Sequence, residues 1–330
     1  MIASPEASAN DSGKLRVRRV RITGRGGLAR ELARWGAAAG SGNSCKLVVF
    51  ADWDGTLSNG FAPPGMRELE RRVRGGQATL DALLGIQRLS ASVVIVTARP
   101  PRRAVLEQLA ASLRGAQREL GAVLGVDQSS GEGSSRGDGG SHGSPRLVAS
   151  QEVLFCGVPL ALWAGSGALA LYAAAYEKPA AVAHYLCQCI APGERTEVLF
   201  VDDAVVNAHD VAERLARLLL EAGRADLLQS ASVTSLWWDT FDEVMTGEMV
   251  SVGPDSPDYP HTAHLDGALA AFGLVDAAER RRRDAALRAL ESRQPSPGSL
   301  KPDPPRAPGR LKVDAALETL LSRDRPAQKR

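Results

Sequence analysis

The amino-acid sequence predicts an α/β fold built on a central parallel sheet, and three observations support this prediction. Short uninterrupted apolar runs, which strands buried on both faces require, recur at residues 47–50, 92–96 and 198–201. Segments with apolar residues at helical spacing separate these runs. Each run is followed by residues that carry carboxylate or hydroxyl groups. Open α/β sheets bind their ligands at the carboxyl ends of their strands, so these polar residues mark a candidate site.

The chain of 330 residues is long enough to bury a sizeable core in one large domain or two small ones. Its composition is 44% hydrophobic and 24% charged, with a formal net charge of +2. Such a balanced charge gives no general electrostatic reason to expect a nucleic-acid or membrane partner. Any such partner would have to bind a local cluster of basic residues.

Residues 1–44 are predicted to be a flexible basic segment, because glycine, serine, alanine and arginine dominate a stretch with little material for a core. A helix over 28–35 is possible near its end. The segment has no apolar signal-peptide centre, so the expected location is the cytoplasm, with an arginine-rich organellar presequence as the alternative. Its basic residues cluster before the helix: Arg16, Arg18, Arg19, Arg21 and Arg25.

The stretch K-L-V-V-F-A-D-W-D-G-T-L, residues 46–57, places two carboxylates directly after a buried strand. Aspartate disfavours strands and glycine permits a sharp change of direction, so Asp52 and Asp54 are expected on a turn that includes Gly55. Two carboxylates this close repel each other unless a cation or a shared proton relieves them. A divalent metal ion is the simplest such cation.

A hydroxyl residue ends the next predicted strand. One or two helices, broken near Gly75, follow the acidic turn, and the strand at 92–96 leads to Thr97. A proline pair at 100–101 then precedes a helix whose apolar residues are four apart. Residues 127–146 are dominated by glycine, serine, arginine and aspartate, which predicts a disordered surface insertion.

The segment from Val153 to Tyr176 contains no charged residue, and its length would suffice for a membrane span. Pro159, the glycines at 165 and 167, and the position between two candidate motifs argue against such a span. The favoured interpretation is a buried strand from Val153 followed by a core helix that ends near Tyr176. No membrane span is expected.

A lysine and a second acidic pair follow this segment. Lys178 is expected at a helix start, because Pro179 suits the first helical turn. The strand at 198–201 is followed directly by Asp202 and Asp203. Two acidic pairs at the ends of two parallel strands offer the oxygen ligands that Mg²⁺ prefers, although either pair alone could simply cap a helix.

The order of D-x-D-G-T-L, V-T-A-R-P, E-K-P and V-D-D-x-x-x-N resembles the four motifs of the haloacid dehalogenase-like (HAD) phosphohydrolase superfamily. The similarity extends from Lys46 to about Ala222. The stretches V-T-A-R-P, F-C-G and V-D-D-x-x-x-N are also similar to the sequences of a poorly characterised branch of that superfamily. It implies a three-layer Rossmann-like fold with a central parallel sheet and at most a small cap. The chain departs from the pattern at Asp202, which replaces a common glycine, and carries the bulky Trp53 between the first two acids.

This resemblance implies a phosphatase that acts through an aspartyl phosphate. Asp52 matches the nucleophile, and Asp54 matches the general acid and base, whose backbone carbonyl would also bind Mg²⁺. Thr97 matches the hydroxyl that holds the phosphoryl oxygens, and Lys178 matches the cation beside the nucleophile. The implied substrate is a phosphorylated compound. The implied Mg²⁺ ligands are Asp52, Asp54, Asp203 and Asp202, with Asn207 assisting.

Other classes of function remain open. A catalytically silent HAD-fold binding module would share the fold, but the complete set of matched residues argues against it. A dehalogenase does not need the second acid of the first motif, so Asp54 and the second acidic pair argue against that class. In a response-regulator receiver the acidic pair precedes the phosphorylated aspartate, whereas here the second acid follows Asp52.

These predictions divide the chain into a flexible segment at 1–44, a HAD-like phosphatase domain at 45–250, and a linker with a helical tail at 251–330. A helix is predicted over 263–292, and its arginines at 280–283 fit a solvated face, with a contact to nucleic acid or another polyanion as the alternative. A proline-rich linker at 294–308 leads to a short final helix near 313–321.

Two further groups of residues are predicted to be structural. The cysteines lack the spacing of a zinc site and are expected to be buried thiols in a reducing compartment. An aromatic cluster near the end of the sheet is expected in the core, not as a platform for stacking bases. The cysteines are Cys45, Cys156, Cys187 and Cys189, and the aromatic residues are Trp237, Trp238 and Phe241.

Overall fold

The structure is a computed structural model, and it describes residues 14–39, 45–58, 73–115, 118–123, 150–164, 169–245, 265–274 and 276–291. The chain divides into two compact units, residues 1–281 and 282–330. The predicted insertion at 127–146, the linker at 294–308 and the final helix at 313–321 lie outside the described residues, so they stay predictions.

The strands of the described residues are β1 (Arg16–Ile22), β2 (Lys46–Ala51), β3 (Ser92–Thr97), β4 (Gln151–Phe155), β5 (Val158–Ala164), β6 (Leu169–Ala173), β7 (Thr196–Asp202) and β8 (Ala231–Trp238). The helices are α1 (Gly27–Ala39), α2 (Gln77–Arg88), α3 (Arg103–Arg114), α4 (Arg118–Val123), α5 (Lys178–Cys189), α6 (Val205–Glu221), α7 (Asp226–Ser230), α8 (Phe241–Met245), α9 (Leu265–Ala271) and α10 (Ala277–Glu291).

Within the described parts of the chain, the strands form one sheet in the order β1-β8-β7-β2-β3-β6-β5-β4. The neighbouring strands β1, β8, β7, β2, β3 and β6 pair in parallel. At the β6 side of the sheet, β5 pairs antiparallel with β6, and β4 pairs antiparallel with β5. This arrangement confirms the prediction of an α/β fold with a central, mainly parallel sheet.

Alternate residues of the central strands face two separate cores, which explains why the middle of each of these strands is an unbroken apolar run. In β2, Val48 and Phe50 pack in one core, whereas Val49 and Ala51 pack in the other. Residues of α5 and α6 cover the first core, and residues of α1, α2 and α3 cover the second. The described residues therefore form three layers.

The chain reverses its direction of travel across the sheet beside β2. It proceeds from β2 to β3 and β6 on one side, and then returns to place β7 and β8 on the other side. The register pairs Ala51 with Val201, and the amide of Asp52 donates to the carbonyl of Val201 at 2.9 Å. The two predicted acidic pairs therefore end adjacent strands at the topological switch point, where open α/β sheets bind ligands.

The prediction of a flexible basic segment over residues 1–44 is wrong for two stretches of it. Strand β1 pairs with β8 along its whole length, and α1 confirms and extends the possible helix at 28–35. Three of the arginines of β1 pair with acidic side chains, most of them distant in sequence. Arg18 pairs with Glu31, Arg19 with Glu213, and Arg21 with Asp239 and Glu279.

The prediction of a buried strand from Val153 and a core helix ending near Tyr176 is also wrong, because this uncharged segment forms β4, β5 and β6, and β4 is an edge strand whose Leu154 is exposed. Phe155 pairs with Val158 across a two-residue turn in which Cys156 and Gly157 both have positive φ, at 48° and 78°. Positive φ at both central residues is the geometry of a tight β-hairpin. Apolar periodicity alone does not separate a buried helix from buried strands. No helix in the described ranges is long and apolar enough to cross a membrane.

Three smaller predictions can be compared with the structure. The helix predicted over 263–292 is divided into α9 and α10 by a turn at Gly273, whose φ is 84°. Trp237 and Trp238 are buried, which confirms their assignment to the core. All four cysteines are free thiols, but Cys156 and Cys189 are exposed, so the expectation of buried thiols is wrong for these two.

Candidate active site

The structure brings all of the predicted site residues together at the carboxyl ends of the central strands. They come from the turn after β2, the last residue of β3, the first residue of α5 and the end of β7. Their side chains are linked by ion pairs and hydrogen bonds, described below from the centre outward. The residues are Asp52, Asp54, Thr97, Lys178, Asp202 and Asp203.

The turn that carries the first two acids requires a glycine. Gly55 has φ of 80°, and a Cβ atom at this position would collide with the carboxylate of Asp203. The amide of Ser58 donates to the carbonyl of Trp53 at 2.9 Å, which closes the turn. The Trp53 side chain is buried in the core, so packing accounts for this bulky residue between the two acids.

Lys178 is completely buried between two carboxylates. Its Nζ lies 2.8 Å from Oδ1 of Asp52 and donates to Oδ2 of Asp202 at 2.6 Å. Burial acts to lower the pKa of Lys178, but the charges of Asp202 and Asp52 outweigh it and raise the pKa. Lys178 is therefore charged at neutral pH.

The two residues of the second acidic pair, Asp202 and Asp203, have different hydrogen-bond partners. Oδ1 of Asp202 accepts hydrogen bonds from the amide of Ala204 at 2.9 Å and from Nδ2 of Asn207 at 3.1 Å, so this carboxylate ties the start of α6 to Lys178. Oδ1 of Asp203 accepts from the hydroxyl of Thr56 at 3.1 Å. Burial first, and the neighbouring Asp202 second, raise the pKa of Asp203 to about 6.

Three carboxylates form a group that could hold a metal ion. One oxygen each of Asp52, Asp202 and Asp203 lies within 4.8 Å of the others. Burial raises the pKa of Asp52 well above its usual range, and Asp202, Asp203 and Asp54 add to this effect, while Lys178 opposes it. A hard divalent cation with oxygen ligands would relieve this repulsion. The carboxylate of Asp54 is not in the group, so its predicted contact with metal through the backbone carbonyl stays a prediction.

Sequence reasoning did not assign a role to Arg99, which binds the carboxylate of Asp54 with two hydrogen bonds. Nε donates to Oδ2 at 2.9 Å, and Nη2 donates to Oδ1 at 2.7 Å. The hydroxyl of Thr97 donates to the same Oδ2 at 3.3 Å. Thr97 therefore orients Asp54 in the structure. The available signal was the position of Arg99, a cation two residues beyond Thr97 at the end of a strand.

When all four of its carboxylates are ionised, the site carries an excess of negative charge that a further cation would balance. Two cationic side chains meet four carboxylates, which leaves two negative charges, the charge that one divalent ion would neutralise. Arg74, a further cation near Asp203, is itself paired with Glu243. The four carboxylates are Asp52, Asp54, Asp202 and Asp203, and the two cations are Lys178 and Arg99.

Arg74 is a second residue that sequence reasoning missed, and it braces the acidic turn. Its buried guanidinium donates to the carbonyl of Gly55 at 3.0 Å and to Oε1 of Glu243 at 3.0 Å. It also donates to the carbonyls of Trp238 and Asp239, and it stacks 3.8 Å from the centre of the Trp238 ring. The turn after β2 is thus fixed to the end of β8. No local pattern around Arg74 signals this role.

Metal binding at this group should strengthen as the pH rises. Metal displaces protons from carboxylic acids, and the pKa of Asp203 in the metal-free protein is about 6. The affinity for Mg²⁺, measured by titration calorimetry without substrate, should therefore increase between about pH 5 and about pH 7. Because the pKa of Asp203 is raised on folding, the metal-free protein should lose stability over the same rise in pH.

An Asp203→Asn variant should bind Mg²⁺ more weakly and with less dependence on pH. Asp81→Asn is a matched control, because Asp81 is an exposed residue of α2 that accepts a hydrogen bond from Gln77. An affinity that is independent of pH in the unsubstituted chain would contradict the proposed metal group.

No protein-family model, curated protein or solved structure matches the chain. The similarity to the HAD superfamily therefore remains a resemblance of motifs. The functional argument depends on the residues and geometry of this edge of the sheet.

Proposed function

We propose that the protein is a Mg²⁺-dependent phosphatase that hydrolyses a phosphomonoester through an aspartyl phosphate on Asp52. The position of Asp52 carries this proposal. Its carboxylate is buried at the topological switch point, in ion-pair contact with Lys178, and grouped with two other carboxylates. Phosphoryl transfer needs mainly positioning and neutralisation of charge, which this arrangement supplies.

In the proposed first step, an oxygen of Asp52 attacks phosphorus, and the bond from phosphorus to the leaving oxygen breaks. Asp54, a carboxylate in the structure, first takes up a proton from solvent and then gives it to that oxygen, so the product leaves as an alcohol. In the second step, Asp54 takes a proton from a water molecule that attacks phosphorus, and the bond to Asp52 breaks to release inorganic phosphate. Mg²⁺, held by Asp52, Asp202 and Asp203, would supply charge neutralisation for the phosphoryl oxygens.

The roles of the two supporting residues follow from their contacts. Lys178 offsets the negative charge of Asp52, which permits an anionic phosphoryl group to approach. The hydroxyl of Thr97 donates to Asp54, so contact with a phosphoryl oxygen, the role implied by the resemblance, requires this hydroxyl to change its acceptor. Asp54 is 27% exposed, in contrast to the buried Asp52, so a leaving group can reach it from solvent.

A catalytically silent binding module is the second candidate. The observation in its favour is the double hydrogen bond of Arg99 to Asp54, because a general acid has to be available to the substrate. Such a module would bind Mg²⁺ and phosphorylated compounds without turnover. The two candidates therefore differ in a simple activity assay.

The test is a panel of phosphorylated metabolites, together with p-nitrophenyl phosphate, assayed with the purified full chain. Release of phosphate should require Mg²⁺, stop on chelation, and disappear in Asp52→Asn. Asp81→Asn removes an aspartate outside the site and should retain activity. If Asp52→Asn released phosphate as fast as the unsubstituted chain, Asp52 would not be the nucleophile. Binding of phosphorylated compounds without turnover would favour the catalytically silent module.

A further inference from the structure

Arg99 and Asp54 form an ion pair whose geometry a phosphoryl group could reproduce. The two hydrogen bonds join the edge of the guanidinium to both oxygens of one carboxylate. Arginine forms the same paired contact with phosphate, where two oxygens present a similar edge. Arg99 is therefore already arranged to bind a planar pair of anionic oxygens.

The pair is accessible, in contrast to the other ion pairs of the site. The side chains of Arg99 and Asp54 are 28% and 27% exposed, whereas Lys178 and Asp202 are fully buried. A partly exposed ion pair is weaker than a fully buried one because solvent screens both charges. Replacing the carboxylate by another anion therefore requires no buried charge to lose its partner.

The charges of the site also indicate that Arg99 is the cation that binds an incoming anion. Lys178 is held between Asp52 and Asp202, and both of these contacts are needed to keep buried carboxylates compensated. A phosphoryl dianion that enters beside these carboxylates needs a protein cation with a replaceable partner. Among the cations of the described site, Arg99 meets this condition.

We propose that Arg99 is a phosphate-binding residue that exchanges the carboxylate of Asp54 for phosphoryl oxygens when the substrate binds. This inference rests on the proposed function, because it takes the substrate to be a phosphomonoester. The exchange has a consequence for the reaction: Asp54 loses its arginine partner at the moment when the leaving oxygen is beside it. Binding of the phosphoryl group and release of Asp54 are then one event.

Inorganic phosphate is a suitable probe, since its binding can be measured without turnover. In titration calorimetry with Mg²⁺ present, Arg99→Ala should weaken phosphate binding by about 10-fold to 100-fold, the loss expected for charge-assisted hydrogen bonds. Arg99→Lys keeps the charge without the paired contact and should bind with intermediate affinity. Arg103→Ala is the matched control, because Arg103 is an exposed arginine of α3 that pairs with Glu107.

Exchange predicts opposite effects for the two partners. Asp54→Asn removes the competing carboxylate, so phosphate should bind more tightly than to the unsubstituted chain. This gain should shrink in the double variant Asp54→Asn and Arg99→Ala, because no guanidinium remains to be released. A fixed structural pair would instead give a lower melting temperature for both single variants with unchanged phosphate affinity, and that result would overturn the inference.

The steady-state kinetics separate this inference from the proposed function. With p-nitrophenyl phosphate, Arg99→Ala should raise KM more than it lowers kcat. An active protein in which Arg99→Ala changes neither KM nor phosphate affinity would retain the proposed function and refute the role of Arg99. If the protein is inactive but Arg99→Ala still lowers its affinity for phosphate, the role of Arg99 in phosphate binding would be retained and the proposed phosphatase function would be refuted.

Discussion

Asp52→Asn should abolish turnover and prevent formation of any phosphoenzyme. The substitution removes the attacking oxygen and one of the three carboxylates that could hold a metal ion. It should not unfold the protein, because asparagine keeps the size of the side chain and Lys178 retains its hydrogen bond to Asp202. A loss of activity with an intact melting transition would therefore report on chemistry.

Asp54→Asn should behave differently although it removes the same functional group. General acid and base catalysis contributes about 10² to 10⁴ in rate, so turnover should fall by that order and not disappear. A substrate such as p-nitrophenyl phosphate has a good leaving group that needs little protonation, so its first step should lose less. The second step still needs an activated water molecule, so phosphate should accumulate on Asp52 in this variant.

Rapid acid quench followed by mass spectrometry of peptides would locate that phosphate. We expect a phosphorylated peptide containing Asp52 in the Asp54→Asn variant and none in Asp52→Asn. The unsubstituted chain serves as the reference for turnover, and the exposed Asp81→Asn serves as the control for removing a carboxylate. Equal, partial losses from both site substitutions, with no phosphoenzyme under any condition, would indicate that the pair is only a metal or structural site.

The sheet and the acidic edge were predictable because their signals are local. A strand covered on both faces has to be apolar over its central residues, and β2, β3 and β7 are apolar at 47–51, 93–96 and 198–201. A polar residue at the end of such a strand has to lie at an edge of the sheet. The parallel register then aligns Asp52 with Asp202, which places the two acidic pairs side by side.

The features that escaped prediction depend on partners that are distant in sequence. The arginines of β1 resemble a solvated basic segment until Glu213 and Asp239 are placed beside them. Nothing in the sequence around Arg74 indicates that it is buried. Its partners are carbonyl groups of the turn at Gly55 and of the end of β8, which only the folded chain brings together. The pairing of Arg99 with Asp54 likewise requires β3 to lie beside β2.

The uncharged segment before Lys178 failed for a different reason. Its composition predicted burial, which the structure confirms for Leu160, Ala161 and residues 171–174 but not for β4, where Leu154 is 74% exposed. An apolar run that lacks alternation also fits a buried helix and a buried strand equally well. The deciding signal was the pair Cys156 and Gly157, which forms the hairpin turn between β4 and β5. A cysteine in such a turn carries no clear pattern, whereas asparagine or aspartate before the glycine would have indicated a hairpin.

The pair of contacts made by Lys178 leads to the largest expected effect on stability. Lys178→Met keeps most of the side-chain volume but leaves two buried carboxylates without their shared cation. Removing one partner of a buried ion pair typically costs about 3–5 kcal/mol. For a domain of this size, a loss of that order should lower the melting temperature by about 10 °C. Lys46→Met is the control, because Lys46 donates to the carbonyl of Cys189 outside the site.

The dependence of this loss on pH and metal would identify its electrostatic origin. Lys178 lowers the pKa of Asp52, so its removal should raise that pKa further above the value in the unfolded chain. The folded variant then binds more protons than the unfolded chain, and its stability should fall as the pH rises above the ordinary pKa of an aspartate. Mg²⁺ replaces the missing positive charge, so it should restore more of the melting temperature in Lys178→Met than it adds to the unsubstituted chain. A loss that is the same at every pH, with or without Mg²⁺, would mean that Lys178 contributes packing and not charge.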